Sequence, residues 1–250
     1  MYKMIADLHT HTLSSTHAYD TFDAMTKMAA EIGYRALAIT DHAPSMPDAP
    51  HIWHFQNLDS MSRMMNGVAL LQGAEVNVMD TFGGLDLPQT LLAGLDWVVA
   101  SIHSPCVPGT LSRKEANRLW LAIAENPYVD SIGHSEQENY RYDYDFVTKV
   151  FAKNNKVVEL NGNSFNARKD GVPNMKPLLR ACMNSGCKIA LDSDAHSVDM
   201  LRGGMQRLYQ MLEEVNFPQE LIVNASCENL VEELKVHHRK VAAELGGLLL

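Results

Sequence analysis

The chain has 250 residues, 46% of them hydrophobic, with 15 glycines and 10 prolines, a composition that supports a packed core and excludes collagen-like and disordered states. Its formal net charge of −9 argues against stable capture of nucleic acid through the phosphate backbone, which needs a basic surface. An anionic small substrate stays open, because bound divalent ions reverse the local field inside a cleft.

Met4–Leu8 reads as a first strand, followed by a helix over Phe22–Ile32. Asp20, Thr21 and Asp23 supply capping and dipole-matching groups at its start, and Gly33 ends it. Ala36–Thr40 is a second strand and Ala69–Val76 a third; between them lie a proline-rich loop, Pro44–His54, and a helix over Leu58–Asn66. Trp97–Ile102 is a fourth strand, and the helix after it opens on a capping box, Ser112 with Glu115, and stops at Asn126-Pro127. A short strand, Ser131–Gly133, leads through the tyrosine-rich Tyr140–Tyr144 to a helix over about Asp145–Asn154. Val157–Leu160, a helix over Asn174–Ser185 closed by Gly186, and the strand Lys188–Leu191 follow. Met200–Val215 reads as one helix, Ile222–Asn224 as a short last strand, and two helices end the chain.

Seven β-then-α units with buried strands imply a mainly parallel sheet covered by helices. A doubly wound sheet gathers its ligand groups at one switch point, whereas here nearly every strand carries a polar residue at its C-terminal end, the habit of a closed barrel. The expectation is one α/β barrel domain over residues 1–250. No apolar run reaches the roughly 18 residues of a bilayer span and no signal-peptide pattern precedes the first strand, so a soluble cytoplasmic protein without a membrane partner is expected, with a homo-oligomer left open. Cys106, Cys182, Cys187 and Cys227 show no CxxC spacing and read as buried free thiols.

The strand ends are where the chemistry gathers. Asp7-Leu-His9-Thr-His11 is followed by His17, then by Thr40-Asp41-His42, Glu75, Ser101-Ile-His103, Gly133-His134 and Asp192-Ser-Asp194-Ala-His196. His9 and His11 alternate along an extended backbone and so emerge on one face, able to ligate one ion or two neighbours. Glu75 and Asp194 follow apolar runs, where a carboxylate needs a cationic partner. Nine such groups are too many for one tetrahedral site, so two or three ions are implied, with a carboxylate bridging. Imidazole and oxygen ligands without thiolate suit zinc, manganese or iron. Asp7 and Asp41 adjoin ligands and are placed to accept their ring N–H groups, with a local turn cap as the other reading of Asp7; Asp192 is the second choice for the role of Asp194.

On these motifs, in this order and over essentially the whole length through Asn224-Ala-Ser226, the chain resembles the PHP (polymerase and histidinol phosphatase) superfamily, specifically its YcdX-like phosphatase branch. The resemblance implies a distorted seven-stranded, TIM-like β/α barrel with a trinuclear centre at its C-terminal face. It assigns His9, His11, Glu75 and Asp194 to a first ion; Glu75, His103 and His134 to a second; and His17, His42 and His196 to a third, with zinc foremost and manganese or iron as alternatives. One departure stands out: close relatives commonly have proline after the histidine of the fifth motif, whereas this chain has His134-Ser135-Glu136. Glu136 itself reads as a solvated loop residue, with a tenth carboxylate near the site as the other reading.

Clustered metals lower the pKa of a bound water, giving a hydroxide that Glu75 and Asp194 would orient toward phosphorus. The expected activity is hydrolysis of small phosphomonoesters by a metal-dependent phosphatase. Ser104, Asn161, Arg168 and Lys169 follow strand ends and are the candidates for holding the phosphorylated substrate, a solvated basic pair being the plainer reading of Arg168-Lys169. His51 and His54, beside Trp53, read as surface or packing residues. Two alternatives remain: a deaminase or amide hydrolase of the amidohydrolase type, which leaves His17, His42 and His196 without a common purpose, and a non-catalytic metal-binding or regulatory module.

Overall fold

The computed structural model describes residues 2–249. Seven parallel strands, interrupted by one short antiparallel strand, curl into a distorted barrel. They are β1 (Ala6–Thr10), β2 (Ala36–Ile39), β4 (Val68–Asn77), β5 (Trp97–Ser101), β6 (Ser131–Ile132), β7 (Val157–Asn161) and β8 (Ile189–Asp192), hydrogen-bonded in that order. The extra strand, β3 (Met64–Met65), pairs antiparallel with β4. This is the closed barrel expected from the polar residues at the strand ends, in the distorted, TIM-like form that the family resemblance implies. All seven parallel strands are buried along their length, which is why they read as continuous apolar runs.

The helices wrap this sheet. In chain order they are α1 (Phe22–Ile32), α2 (Trp53–Gln56), α3 (Gln89–Leu92), α4 (Arg113–Glu125), α5 (Tyr144–Lys153), α6 (Ser164–Ala167), α7 (Val172–Ser185), α8 (Val198–Gly203), α9 (Gln206–Val215), α10 (Cys227–Val236) and α11 (Val241–Leu249). The outer core joins sheet residues such as Leu37, Leu70, Val98 and Leu160 to α1, α4, α5, α7 and α9. A second core packs Ala69, Leu71, Trp97, Val99, Val157 and Ala190 against Leu230, Leu234, Val241 and Leu245 of α10 and α11. Side chains two apart on a strand share a face. Glu75 therefore follows Ala69 and Leu71, and Glu159 follows Val157, onto the face that turns away from the outer helices. None of the helices of the described residues is long and apolar enough to cross a membrane.

Closure between β1 and β8 rests partly on a side chain. Asn224 Nδ2 donates to Ala6 O at 2.9 Å and Leu191 O at 2.7 Å, Leu191 N donates to Asn224 Oδ1, and Ile5 N donates to Asn224 O. The amide thus does the work of a missing ladder rung. This corrects the expected strand over Ile222–Asn224: only Ile222 makes a parallel bridge, to Ile189, and Val223–Ala225 is a 3-10 turn.

Two other expected elements differ. The helix expected over Leu58–Asn66 is a 3-10 turn at Leu58–Ser60 followed by the β3–β4 hairpin. Asn66 and Gly67 both have positive φ, 53° and 80°, the Asn-Gly signature of a two-residue hairpin turn. The single helix expected over Met200–Val215 is broken into α8 and α9 at Gly203-Gly204. The Gly204 backbone passes so near Ser193 that an added Cβ would lie 2.5 Å from the serine Cβ. All four cysteines are free, but only Cys182 and Cys187 are buried.

Candidate metal centre

Glu75 is the hub at the C-terminal end of the barrel. Its Oε1 lies 3.0 Å from His134 Nε2, 3.2 Å from His103 Nε2 and 3.4 Å from His9 Nε2. Its Oε2 lies 2.7 Å from His42 Nδ1 and 3.6 Å from His11 Nε2. Asp194 Oδ1 adds contacts of 3.1 Å to His11 Nε2 and 3.7 Å to His9 Nε2. On the rim, the His17 ring stacks on His196 and His42 with centroids 4.4 and 5.1 Å away, while His11 stacks on His196 at 4.2 Å. Three groups have ligand atoms close enough to share an ion: His9, His11 and Glu75; His11, His42 and His196; His42, Glu75 and His103.

Several of these atoms make chemical sense only around a cation. His9 Nε2 and His11 Nε2 face one another at 3.1 Å. Two nitrogens each about 2.0–2.1 Å from a tetrahedral zinc would lie about 3.3 Å apart, so the pair has the spacing of neighbours on one ion. His11 Nδ1, both ring nitrogens of His42, Glu75 Oε2 and His196 Nε2 are buried without a hydrogen-bond partner. His42 Nδ1 and Glu75 Oε2 are close but poorly aligned for a hydrogen bond. Buried polar atoms are normally satisfied; a concentration of orphaned lone pairs at one point fits divalent metal binding.

Four rings are also held so that Nε2 is the free atom. His9 Nδ1 is 2.5 Å from Glu159 Oε1, His103 Nδ1 is 2.7 Å from Asn77 Oδ1, His196 Nδ1 is 2.9 Å from Asp194 O, and His17 Nδ1 pairs with Asp48 Oδ2. For His103 the donor is unambiguous, because Asn77 Nδ2 is already directed at Asp86 Oδ2 and Ala43 O. An Nδ1–H bonded to oxygen leaves the Nε2 lone pair for a metal.

The local field agrees. Burial pushes His11 down to about 3 and His134 down to about 4, leaving both imidazoles neutral at pH 7. Burial would also lower His9, but Glu159, Glu75 and Asp194 together raise it well above its ordinary value. Despite burial, the surrounding imidazoles hold Glu75 and Asp194 well below the usual carboxylate range, His9 being the strongest influence on both. The site thus combines ionised carboxylates with neutral imidazoles at His11 and His134, and its carboxylates favour positive charge at the centre. His134 and Asp194 have φ of 27° and 53°, left-handed values that concentrate backbone strain at the site.

Of the expected residues, His9, His11, His42, Glu75, His134, Asp194 and His196 are buried together, His103 is half-buried beside them, and the His17 side chain is 51% exposed at the rim. Asn161 is buried and donates to Glu159 Oε2 and Asp194 Oδ2. Arg168 is not a solvated residue: its Nη2 donates to Asp194 Oδ2 at 2.6 Å and Asn161 Oδ1 at 3.1 Å, and its Nε to Ser164 Oγ. Lys169 and Ser104 are exposed.

Several supporting roles need correction. Neither Asp7 nor Asp41 accepts a ligand ring N–H. Asp7 takes the backbone N–H groups of His9 and Ser193, and burial raises it to about 7. Asp41 accepts from Thr12 N, Thr12 Oγ1 and Ser15 Oγ, each at 2.8 Å, and pairs with His54, so it ties the loop after β1 to that after β2. Asp192 Oδ1 accepts Leu8 N, with burial raising the carboxyl well above the usual range, whereas it is Asp194 that faces His11 and His9. Glu136 is fully buried, not solvated, because Gly171 and Asn174 close over its backbone. Glu159, Asn77 and Asp48, the partners that orient ligand rings, were not singled out in the sequence; a glutamate inside the apolar strand Val157–Leu160 was the available signal for the first.

Residues 7–163 match the PHP domain family model. Among curated proteins, the chain is 41% identical over 235 residues to a protein named "Probable phosphatase" from Clostridium novyi, covering 93% of this chain and 95% of that one. It is 40% identical to another of that name from Acetivibrio thermocellus, covering 93% and 96%. Among solved structures it resembles the histidinol phosphate phosphatase of Lactococcus lactis, determined with zinc, L-histidinol and phosphate, with a TM-score of 0.61 and 17% identity over 86% of this chain and 95% of that one. With its family model matched over most of its length and its histidine–carboxylate cluster assembled, the chain belongs to the PHP-domain family and is a metal-dependent hydrolase.

Proposed function

We propose that the chain is a phosphatase of the YcdX-like branch, that residues 1–250 act as one catalytic domain, and that small phosphomonoesters are hydrolysed at a trinuclear centre. The observation that carries this reading is the gathering of eight other candidate ligands about Glu75, six of the nine forming three overlapping groups whose ligand atoms are close enough to share an ion. His9, His11, Glu75 and Asp194 would hold the first ion, His103 and His134 with Glu75 the second, and His17, His42 and His196 the third. Zinc suits the tetrahedral spacing of His9 and His11, with manganese or iron as alternatives. Bound divalent ions would supply a low-pKa water as nucleophile and neutralise charge developing on phosphoryl oxygens.

The chain's own groups do the positioning. Glu75 keeps ligands from β1, β5 and β6 within 3.4 Å of one oxygen. Arg168 is steered by Asp194, Asn161 and Ser164 through Nη2 and Nε, while its Nη1 has no hydrogen-bond partner among the described residues and is free to donate to a phosphoryl oxygen. Asn161 fixes Asp194 from the other side. The exposed Lys169 and Ser104 would complete the phosphate's surroundings. An amidohydrolase would need one or two ions and leave the stacked His17, His42 and His196 rings without a purpose. A non-catalytic module would not require so complete a ligand set. The relatives named as phosphatases, covering almost the entire chain, favour the same reaction.

The test is a metal count and an activity screen over phosphorylated metabolites and short nucleotides after reconstitution with Zn²⁺ or Mn²⁺. Three bound ions and turnover of monoesters are expected. His42→Ala should lose one ion and most turnover; a variant with wild-type catalysis at matched metal loading refutes the three-ion reading.

A further inference from the structure

β7 brings a carboxylate to the metal centre that the nine-residue ligand set does not use. Glu159 is fully buried. Its Oε1 lies 2.5 Å from His9 Nδ1, while its Oε2 accepts the backbone N–H of His134 at 2.6 Å and Asn161 Nδ2 at 3.0 Å. Asn161 Nδ2 in turn lies 3.2 Å from Asp194 Oδ2. One side chain thus reaches ligand candidates from three parts of the barrel: β1 through a ring, the end of β6 through a backbone, and the loop after β8 through an amide. The His134 contact falls on a residue with φ of 27°, so the bond holds a backbone conformation that would otherwise relax.

We propose that Glu159 is a positioning residue of the metal centre. It holds His9 in the Nδ1–H tautomer, with Nε2 turned toward His11, Glu75 and Asp194, and it anchors the His134 backbone. Divalent ions at the His9–His11–Glu75 group therefore bind tightly only while Glu159 holds the His9 ring and the His134 backbone in place. This rests on the metal-centre reading given above. The competing role is a purely structural one, in which the carboxylate serves only to fill the barrel and pair with a protonated histidine. Glutamine keeps the shape but not the bonds. In one orientation its NH₂ meets the N–H groups of His134 and Asn161; in the other it meets the His9 Nδ1–H.

The experiment is a Zn²⁺ titration of metal-free wild-type and Glu159→Gln proteins against a chromophoric chelator. Loss of an outer carboxylate that orients a ligating histidine typically weakens metal binding 10- to 100-fold. One class of Zn²⁺ site in Glu159→Gln should weaken by roughly that factor, and turnover should recover as added Zn²⁺ refills it. Wild-type affinity at every site in folded Glu159→Gln, whatever its thermal stability, overturns the proposal, because a structural role alone would move stability and leave affinity unchanged. A second measurement does not depend on the variant folding. Long-range ¹H–¹⁵N histidine spectra of the Zn²⁺-loaded wild type should show His9 protonated at Nδ1 and metal-shifted at Nε2, and the reverse tautomer overturns the proposal. A wild-type protein that binds no Zn²⁺ overturns the metal-centre reading as well; weakened binding confined to the variant supports both.

Discussion

Replacing Glu75 by glutamine tests the centre at its hub, because five imidazole nitrogens lie 2.7–3.6 Å from its two oxygens. The substitution conserves volume and removes one negative charge. A unit charge and a divalent ion about 4 Å apart attract by about 8 kcal/mol at an effective dielectric of about 20. Keeping the carboxylate dry costs several kcal/mol in return. The difference, about 3–4 kcal/mol, is between two and three decades of metal affinity. Competition with a chelator near neutral pH, with metal content and phosphatase turnover measured on the same samples, should show Glu75→Gln losing affinity at more than one ion. A single weakened ion would refute the bridging role. A full wild-type complement at equal free Zn²⁺ would refute the claim that this carboxylate organises the cluster.

Removing metal should lower the melting temperature and restoring it should reverse the change: each ion a thousandfold above its Kd stabilises by about 4 kcal/mol, or about 10 °C in a chain of this size, and superimposable scans with and without chelator would refute this. Gly133→Ala should destabilise by about 1–3 kcal/mol and impair metal binding, since the new Cβ would collide with Ser101 Oγ and lie 2.8 Å from Val99 Cγ1 directly before His134. Denaturant melts should show part of that loss recovered by adding Ser101→Ala, and a neutral Gly133→Ala would sink the packing argument. Burial raises the Asp7 carboxyl from 3.8 to about 7, so its contribution to metal-free stability is fully present below about pH 4 and lost as pH rises through about 7. Asparagine imitates the protonated form, so the stability of Asp7→Asn minus that of wild type should grow by more than about 1 kcal/mol between about pH 4 and pH 8, and a pH-independent difference would contradict the shift.

Much of this protein is legible along the chain because its information is local. A buried parallel strand must be a continuous apolar run, and a polar residue just past it must lie at the barrel's C-terminal rim. His9, His11, His42, His103, His134, Asp194 and His196 could therefore be placed near one another from register alone. The helix caps at Thr21 and Ser112 and the stops at Gly33 and Gly186 are equally local, and they appear where the residue types put them.

Other features depend on which segments meet. Glu159 looks like any charged residue in a strand until β7 lies between β6 and β8, where its two oxygens find His9 and the His134 backbone. Glu136 looks like a loop residue until Asn174 covers it. Asn224 looks like the end of a strand until β1 and β8 leave a gap that its amide spans. The residue types alone determined a metal-binding barrel, because imidazole and carboxylate chemistry and hydrophobic periodicity are properties of the chain itself. Only the tertiary structure decided which oxygen orients which ring and which carboxyls burial pushes upward, because hydrogen bonds and desolvation depend on distances between parts of the chain that sequence order does not contain.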